Sequence, residues 1–236
     1  MSAVPDSASP GRVIRRRRGP IATLVLSLVV TTIDASLLAL ALGGFAAVWA
    51  HPRAPALIVV WGITGAVLAL RRPVGDQDVV TLDRESRWTL IALALVPVTT
   101  PAVAALGERL GLWILPGREP VRWAGVAIVA LGLTIRILAM SQLGSRFSPL
   151  LAVQREHVLE TTGLYRRIRH PGYLGSFLAA LGAVMAFGSG LGLLPLALFA
   201  ALMVLRIRRE EALLAARFGD AWVAYRARSG AFLPRP

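Results

Sequence analysis

Long apolar segments alternate with short arginine-rich segments along most of this sequence. The last apolar run, Tyr173 to Leu205, is 33 residues long and is interrupted at Gly188-Ser189-Gly190. A membrane-crossing helix needs about 20 residues, so this run predicts a tight hairpin of two helices. The whole pattern predicts an all-α, polytopic membrane bundle of about six transmembrane helices. The four earlier runs are Ile21 to about Trp49, Ala54 to Leu70, Trp88 to Leu106 and Arg122 to Leu143.

The two ends of the chain differ from these runs. Residues 1–20 form a basic tail whose first part is rich in Ser, Pro, Ala and Gly, and we expect it to be disordered. Glu210 to Tyr225 carries apolar residues at helical spacing, which predicts a C-terminal amphipathic helix. We therefore divide the chain into the tail 1–20, the N-terminal transmembrane helices 21–143 and a polar-rich region 144–236 with the hairpin.

Composition and charge support a membrane protein and give it an orientation. Hydrophobic residues make up 56% of the chain and charged residues 17%, against about 25% charged residues in ordinary soluble domains. All 26 basic residues are arginines. With a cytoplasmic N-terminus, 21 arginines lie in cytoplasmic segments and 4 on the opposite side, which predicts that both termini are cytoplasmic. Because the arginines flank apolar runs, they indicate topology rather than nucleic-acid binding.

Two polar segments at the ends of the hairpin are candidates for chemistry. In the first, Pro171 favours the first turn of a helix, which places backbone donors beside Arg169 and His170, where an anionic group can bind. In the second, Arg206 and Glu210 share a helix face if the last span continues. A solvated membrane interface is the alternative interpretation of both segments. The cytoplasmic end of the hairpin is therefore where we expect a site.

Other kinds of site have little support in the sequence. The chain has no cysteine and only three dispersed histidines, and it shows no zinc-ligand spacing, so we expect no metal site. His51 falls in a loop on the opposite side without a companion. Asp34 and Arg136 are the charges deep within predicted spans, and each is expected to find a partner or to face a cavity. Pairing with each other is one such arrangement, and both stay outside the predicted site.

Several ordered motifs resemble one family of membrane enzymes. Arg-His-Pro-x-Tyr-x-Gly precedes the hairpin at 169–175, and Arg-x-x-x-Glu-Glu follows it at 206–211. Over about residues 140–236 the chain resembles the isoprenylcysteine carboxyl methyltransferases and, more widely, the phospholipid N-methyltransferases. Glu160 and Trp222 depart mildly from the family pattern. The supporting motifs are Gly144-Ser145-x-Phe147, His157-x-Leu159, Gly163-x-Tyr165, Phe218-Gly219-x-x-Trp222-x-x-Tyr225 and Leu233-Pro234.

The resemblance implies a cytoplasmic, metal-free S-adenosylmethionine site that methylates the carboxylate of an isoprenylcysteine-like or other lipidic acceptor. Arg169 and Arg206 would orient the acceptor, and Glu210 would join them in catalysis. The implied partners are a lipidic or prenylated substrate and membrane lipids, with no nucleic acid and no obligate protein partner. Residues 144–236 would form the catalytic region. The implied cofactor-binding residues are His157, Leu159, Gly163, Tyr165, His170, Pro171, Tyr173, Glu210 and Glu211.

Three alternatives remain at this stage. A phospholipid or amine N-methyltransferase would need its acceptor deprotonated, and Glu211 would assist that step. An NADPH-dependent reductase of the sterol-reductase type shares the Arg-His-Pro element but usually reads Arg-His-Pro-Asn-Tyr-x-Gly-Glu, where this chain has Gly172 and Ser176 at the Asn and Glu positions. A non-catalytic membrane protein that kept the fold is the third.

Overall fold

The protein is a helical bundle that carries one small sheet. A computed structural model describes residues 20–71, 79–82, 86–144, 152–154 and 159–235, so the predicted tail, up to residue 19, lies outside the described residues. The helices are α1 (Pro20–Leu42), α2 (Phe45–Ala50), α3 (Ala54–Arg71), α4 (Ser86–Leu110), α5 (Glu119–Leu143), α6 (Pro171–Phe187), α7 (Leu193–Phe218) and α8 (Asp220–Arg228). Two 3-10 turns lie at Gly163–Arg166 and Gly190–Gly192, and two strands, β1 (Val79–Leu82) and β2 (Ala152–Gln154), pair antiparallel.

Five segments in the described part of the chain are long and apolar enough to cross a membrane, and α6 is a shorter apolar helix of 17 residues. The predicted membrane bundle of about six helices with a final hairpin is confirmed. The β1–β2 pair was not predicted, because each strand is only three or four residues long. The five segments are Thr23–Leu42, Ala54–Arg71, Ile91–Leu110, Glu119–Leu143 and Gly190–Phe218.

Two predicted helices have different bounds in the structure, and glycine is the cause in both. The first apolar run is divided at Gly43 and Gly44, whose φ angles of 99° and 132° do not suit a right-handed helix. The amphipathic helix predicted for Glu210 to Tyr225 is also divided. The last span continues as α7 to Phe218, and α8 begins after Gly219, which has φ 48°.

Helices α5 and α6 pack backbone against backbone at matched glycines. Gly125 and Gly132 lie seven residues apart on α5, and they face Gly182 and Gly175, seven apart on the antiparallel α6. A Cβ added at Gly132 would lie 2.5 Å from the Gly175 carbonyl oxygen, and one at Gly125 would lie 2.6 Å from that of Gly182. Small residues allow such close approach between membrane helices. This contact fixes the start of α6, and therefore the site, relative to α5.

A buried ion network joins the helices at the end of the bundle away from the predicted site. Arg53, 3% exposed, donates to Glu119 at 2.6 Å and to Glu108 at 2.8 Å. Arg122 also donates to Glu108 at 2.8 Å, and it reaches the Phe187 carbonyl at the end of α6 at 3.0 Å. The prediction that His51 has no companion was wrong, since its Nε2 lies 3.1 Å from Glu108. The network ties α3, α4, α5 and α6 together.

The turn of the α6–α7 hairpin is held by the loop between α4 and α5. The Ser189 hydroxyl donates to the Leu112 carbonyl at 2.9 Å, and the Gly190 amide donates to the Trp113 carbonyl at 2.7 Å. Phe187, fully buried, packs beside the His51 ring at a centroid distance of 5.4 Å. The turn of the hairpin is therefore anchored to the rest of the bundle. The polar residues predicted for the site lie at its opposite end.

Replacing Gly132 with alanine should destabilise the bundle. The new methyl group would meet the backbone of α6, which cannot turn aside as a side chain can, so we expect a loss of about 1–3 kcal/mol and a lower Tm in detergent. Gly62→Ala is the matched control, because a Cβ there meets nothing within 4 Å. Equal unfolding temperatures for the two variants would contradict the close contact between α5 and α6.

Glu108→Gln should destabilise the protein more than Glu119→Gln, although both carboxylates bind Arg53. The Glu108 side chain is 20% exposed, binds two arginines and lies beside His51, whereas that of Glu119 is 61% exposed. Removing one member of a buried ion pair costs about 3–5 kcal/mol, and solvent screens an exposed pair so that it contributes much less. Thermal unfolding of the two variants checks the order, and an equal or reversed order would refute it.

Candidate active site

The loop before α6 is shaped by a glutamine at the end of α5. The Gln142 side-chain amide donates to the Thr162 carbonyl at 2.6 Å, and its oxygen accepts from the Leu164 amide at 3.1 Å. Gly163 between them has φ 51°, and a Cβ there would overlap the Gln142 amide group. Gly163 therefore lets the chain pass close to Gln142 and enter the 3-10 turn that carries Tyr165.

The C-terminal segment closes against the residues that precede α6. The Arg169 amide donates to the Gly230 carbonyl at 2.8 Å, the Gly230 amide to the Arg167 carbonyl at 3.0 Å, and the His170 amide to the Ala231 carbonyl at 3.1 Å. These bonds form a short parallel bridge between Ile168 and Gly230. The end of the chain is thus part of the wall of the site, which explains why family motifs continue to the C-terminus.

One carboxylate of α7 holds both polar residues that precede α6. Glu211 Oε1 accepts from Arg169 Nε at 2.9 Å and lies 3.1 Å from His170 Nε2. Arg169 also donates to the Ser229 carbonyl and, at 3.4 Å, to the Arg226 carbonyl. Arg169 is 9% exposed and His170 is 3% exposed. Glu211 and Arg169 therefore connect α7, the start of α6 and the C-terminal segment.

A second carboxylate, one residue earlier on α7, faces the first turn of α6. The Tyr173 hydroxyl donates to Glu210 Oε2 at 3.0 Å. Arg206 lies one helical turn before Glu210, as predicted, and is 3% exposed. The charges of both residues act on the Tyr173 hydroxyl. The continuation of α7 past the last span therefore brings Arg206, Glu210 and Tyr173 together.

Two tyrosine hydroxyls of the site stay protonated and act as donors. Burial raises the pKa of Tyr225 to about 12, and its hydroxyl donates to the Tyr165 carbonyl at 2.7 Å. Burial also raises the pKa of Tyr165, Glu210 adds to the rise, and Arg136 opposes it. The Tyr165 hydroxyl donates to the Ala139 carbonyl on α5 at 3.4 Å. The opposed effects of Glu210 and Arg136 show that both charges lie within electrostatic reach of Tyr165.

Most residues predicted for the site meet at the open end of the hairpin. Leu159 is half-buried and precedes the 3-10 turn. His157, Ser145 and Phe147 lie outside the described residues. Trp222 and Tyr225 are buried and pack edge to face at 5.8 Å. The residues that the structure brings together are Gly163, Tyr165, Arg169, His170, Pro171, Tyr173, Arg206, Glu210 and Glu211.

Sequence reasoning missed Gln142, Ser229 and the partners of Arg136. A polar side chain near the end of a membrane helix was the signal that could have indicated Gln142. Its partners, Thr162 and Leu164, depend on the turn at Gly163. Arg136 does not pair with Asp34. Its guanidinium contacts Ser176 and Gly172 on α6.

The comparisons with known proteins agree with this geometry. The model of the isoprenylcysteine carboxyl methyltransferase family matches residues 125–216, which include α6, the hairpin turn and the Arg-x-x-x-Glu-Glu segment. Over this region, which is 92 of the 236 residues, the chain is similar to that family. The resemblance inferred from the motifs is confirmed.

Three relatives within this family match about half of the chain. Protein-S-isoprenylcysteine O-methyltransferase of Schizosaccharomyces pombe is 36% identical over 114 residues, which is 47% of this chain and 48% of the relative. That of Saccharomyces cerevisiae is 36% identical over 118 residues, 47% of each chain. A probable enzyme of the same name from Oryza sativa is 33% identical over 122 residues, 48% of this chain and 61% of the relative. In the two fungal alignments the chain spans about half the length of these relatives.

A solved structure extends the likeness to the N-terminal helices. It is described as the eukaryotic intramembrane Ras methyltransferase of this family, and it aligns over 91% of this chain and 75% of its own, with a TM-score of 0.50 at 21% identity. At this identity the match shows the fold. Together with the five candidate spans, it makes the chain a multi-pass integral membrane protein.

Glu211→Gln should loosen the closure of the C-terminal segment. The amide keeps the size of the side chain but removes the charge that binds Arg169, so we expect a lower Tm and faster hydrogen exchange at 229–231. Arg226→Gln is the matched control, because Arg226 lies 3.9 Å from Glu211 and its side chain is 61% exposed. Unchanged exchange at 229–231 in the Glu211 variant would show that the segment is held by other contacts.

Proposed function

We propose that this protein is an integral-membrane, S-adenosylmethionine-dependent methyltransferase that methylates the carboxylate of a prenylated or other lipidic acceptor. The observation that carries the proposal is the meeting of Arg206, Glu210 and Glu211 on α7 with His170 and Tyr173 on α6. This meeting falls inside the region matched to the family. The relatives' own name, protein-S-isoprenylcysteine O-methyltransferase, suggests an S-prenylated cysteine as the acceptor class.

The residues present suit the cofactor. When bound, S-adenosylmethionine supplies an electrophilic methyl group on a positively charged sulfur. The Glu210 carboxylate offers an acceptor for the cationic amino group, and the start of α6 offers backbone donors for an anionic group. Tyr165 and Tyr173 lie at the same end of the hairpin, and their hydroxyls donate to the Ala139 carbonyl and to Glu210. The proposed holders, carried over from the motifs, also include His157, Leu159, Gly163, Pro171 and Glu211.

The reaction depends mainly on the alignment of the reacting atoms and on the charges around them. A carboxylate is ionised near neutral pH, so the site needs no strong base to activate it. The residues have to hold the acceptor oxygen in line with the methyl carbon and the leaving sulfur, and to exclude water. The positive charge of Arg206 favours a carboxylate over an amine, because an amine is a cation near neutral pH. This charge argument favours O-methylation over N-methylation.

The site is proposed to face the cytoplasm with both termini. The support is the arginine distribution, 21 on the side of the site against 4 on the other. Two of those four, Arg53 and Arg122, belong to the buried ion network. A lipidic acceptor that entered from the bilayer would then meet the site at the cytoplasmic leaflet.

Titration calorimetry of the full-length protein in detergent tests the cofactor. We expect S-adenosylhomocysteine to bind, and Glu210→Gln to weaken its affinity at least tenfold, because the variant loses a negative charge beside the cofactor's cationic group. Glu119→Gln, at the other end of the bundle, should bind as the wild type does. NADPH is titrated in parallel. Binding of NADPH without S-adenosylhomocysteine would refute the proposed function.

A further inference from the structure

Arg136 lies at the boundary between the membrane-spanning part of α5 and the site. It is seven residues before the end of α5, which is about 10 Å along the helix axis. Its guanidinium donates to the Ser176 hydroxyl at 2.5 Å and to the Gly172 carbonyl at 3.5 Å. Ser176 in turn donates to the same Gly172 carbonyl at 3.0 Å. The contacts of Arg136 on α6 are therefore with neutral groups in its first two turns.

The charge of Arg136 is not neutralised within the described part of the chain, where no carboxylate lies within 4 Å of its guanidinium. Arg53 and Arg169 differ, because each donates to a carboxylate at 2.8–2.9 Å. A cation within a membrane span is costly, and such residues pair with other charges or with backbone carbonyls, or lie on substrate and ion pathways. An anionic ligand would supply the missing counter-charge.

The position of Arg136 places that ligand beside the proposed cofactor residues. Gly172, which it contacts, lies between Pro171 and Tyr173 at the start of α6. The charges of Arg136 and Glu210 act in opposite directions on the hydroxyl of Tyr165. Arg136 therefore approaches the site from α5, while Glu210 approaches it from α7.

Arg169 is less suited to bind an incoming carboxylate directly. Its Nε donates to Glu211, and its Nη1 donates to the carbonyls of Ser229 and Arg226. These bonds hold the C-terminal segment, so releasing them for a substrate would open the wall of the site. The donors of Arg169 serve the protein itself, and Glu211 neutralises its charge.

We propose that Arg136 binds the carboxylate of the lipidic acceptor and thereby sets the preference of the enzyme for an acid. This inference rests on the proposed function. It assigns to Arg136 the direct contact with the acceptor carboxylate that the motifs led us to expect of Arg169. A guanidinium can bind a carboxylate through two parallel hydrogen bonds. Its depth in α5 suits a carboxylate attached to a chain that remains in the bilayer. Ser176 and Gly172 contact the guanidinium from one side.

The test compares two probes that differ only in the anionic group. They are N-acetyl-S-farnesyl-cysteine and its carboxamide, and their affinities are measured with wild type, Arg136→Gln, Arg136→Lys and Ser176→Ala. Wild type should prefer the acid over the amide at least tenfold. Arg136→Gln should lose most of that preference while its S-adenosylhomocysteine affinity stays within about twofold. Arg136→Lys, which keeps the charge without the planar fork, should keep an intermediate preference.

Ser176→Ala is the matched control for a purely structural role. It removes the bond between Arg136 and α6 but keeps the guanidinium, so the preference for the acid should remain. An Arg136→Gln protein that still prefers the acid would overturn the inference. Equal losses of acid and cofactor binding in Arg136→Gln and Ser176→Ala would also overturn it, because Arg136 would then serve only to join α5 to α6. Wild type that binds no S-adenosylhomocysteine would instead refute the proposed function.

Discussion

The close contact between α5 and α6 is the constraint on which the site depends. Gly125 and Gly132 meet Gly182 and Gly175 with no side chain between the backbones, so the two helices are held in one register. That register places Arg136 against Gly172 and Ser176, and Gln142 against the turn at 162–164. A membrane interior offers little hydrophobic force between helices, so close packing and polar bonds must fix their positions.

The two ends of the hairpin have different electrostatic tasks. At its turn, carboxylates and arginines neutralise one another, and the loop between α4 and α5 bonds the turn directly. At its open end, Glu211 is bound by Arg169 and His170, while Glu210 accepts a bond from the neutral Tyr173 hydroxyl. The first arrangement gives rigidity. The second leaves Glu210 with a neutral partner, as the proposed cofactor site requires.

The sequence predicted the bundle, the hairpin and most of the site, and the reason lies in local spacing. Arg206 and Glu210 share a face wherever the helix continues, and Pro171 suits the first turn of a helix. The failures depend on contacts far along the chain. His51 needed the position of Glu108, 57 residues away, and Gln142 needed the turn at Gly163. Helix register decides whether Arg136 faces Asp34 or α6, and a single sequence does not contain that register.

Arg53, Arg169 and Arg136 differ in their partners. Arg53 and Arg169 are bound by carboxylates of the chain, so their charge is satisfied in the folded protein. Arg136 is bound by a hydroxyl and a carbonyl, neither of which neutralises its charge. Desolvation makes an unneutralised cation unfavourable, and the same desolvation strengthens its attraction for an anion. A guanidinium held by protein dipoles alone is therefore the arrangement expected where an anionic ligand supplies the counter-charge. Under the proposed function, methylation of the ligand's carboxylate then removes that negative charge and weakens its hold on Arg136.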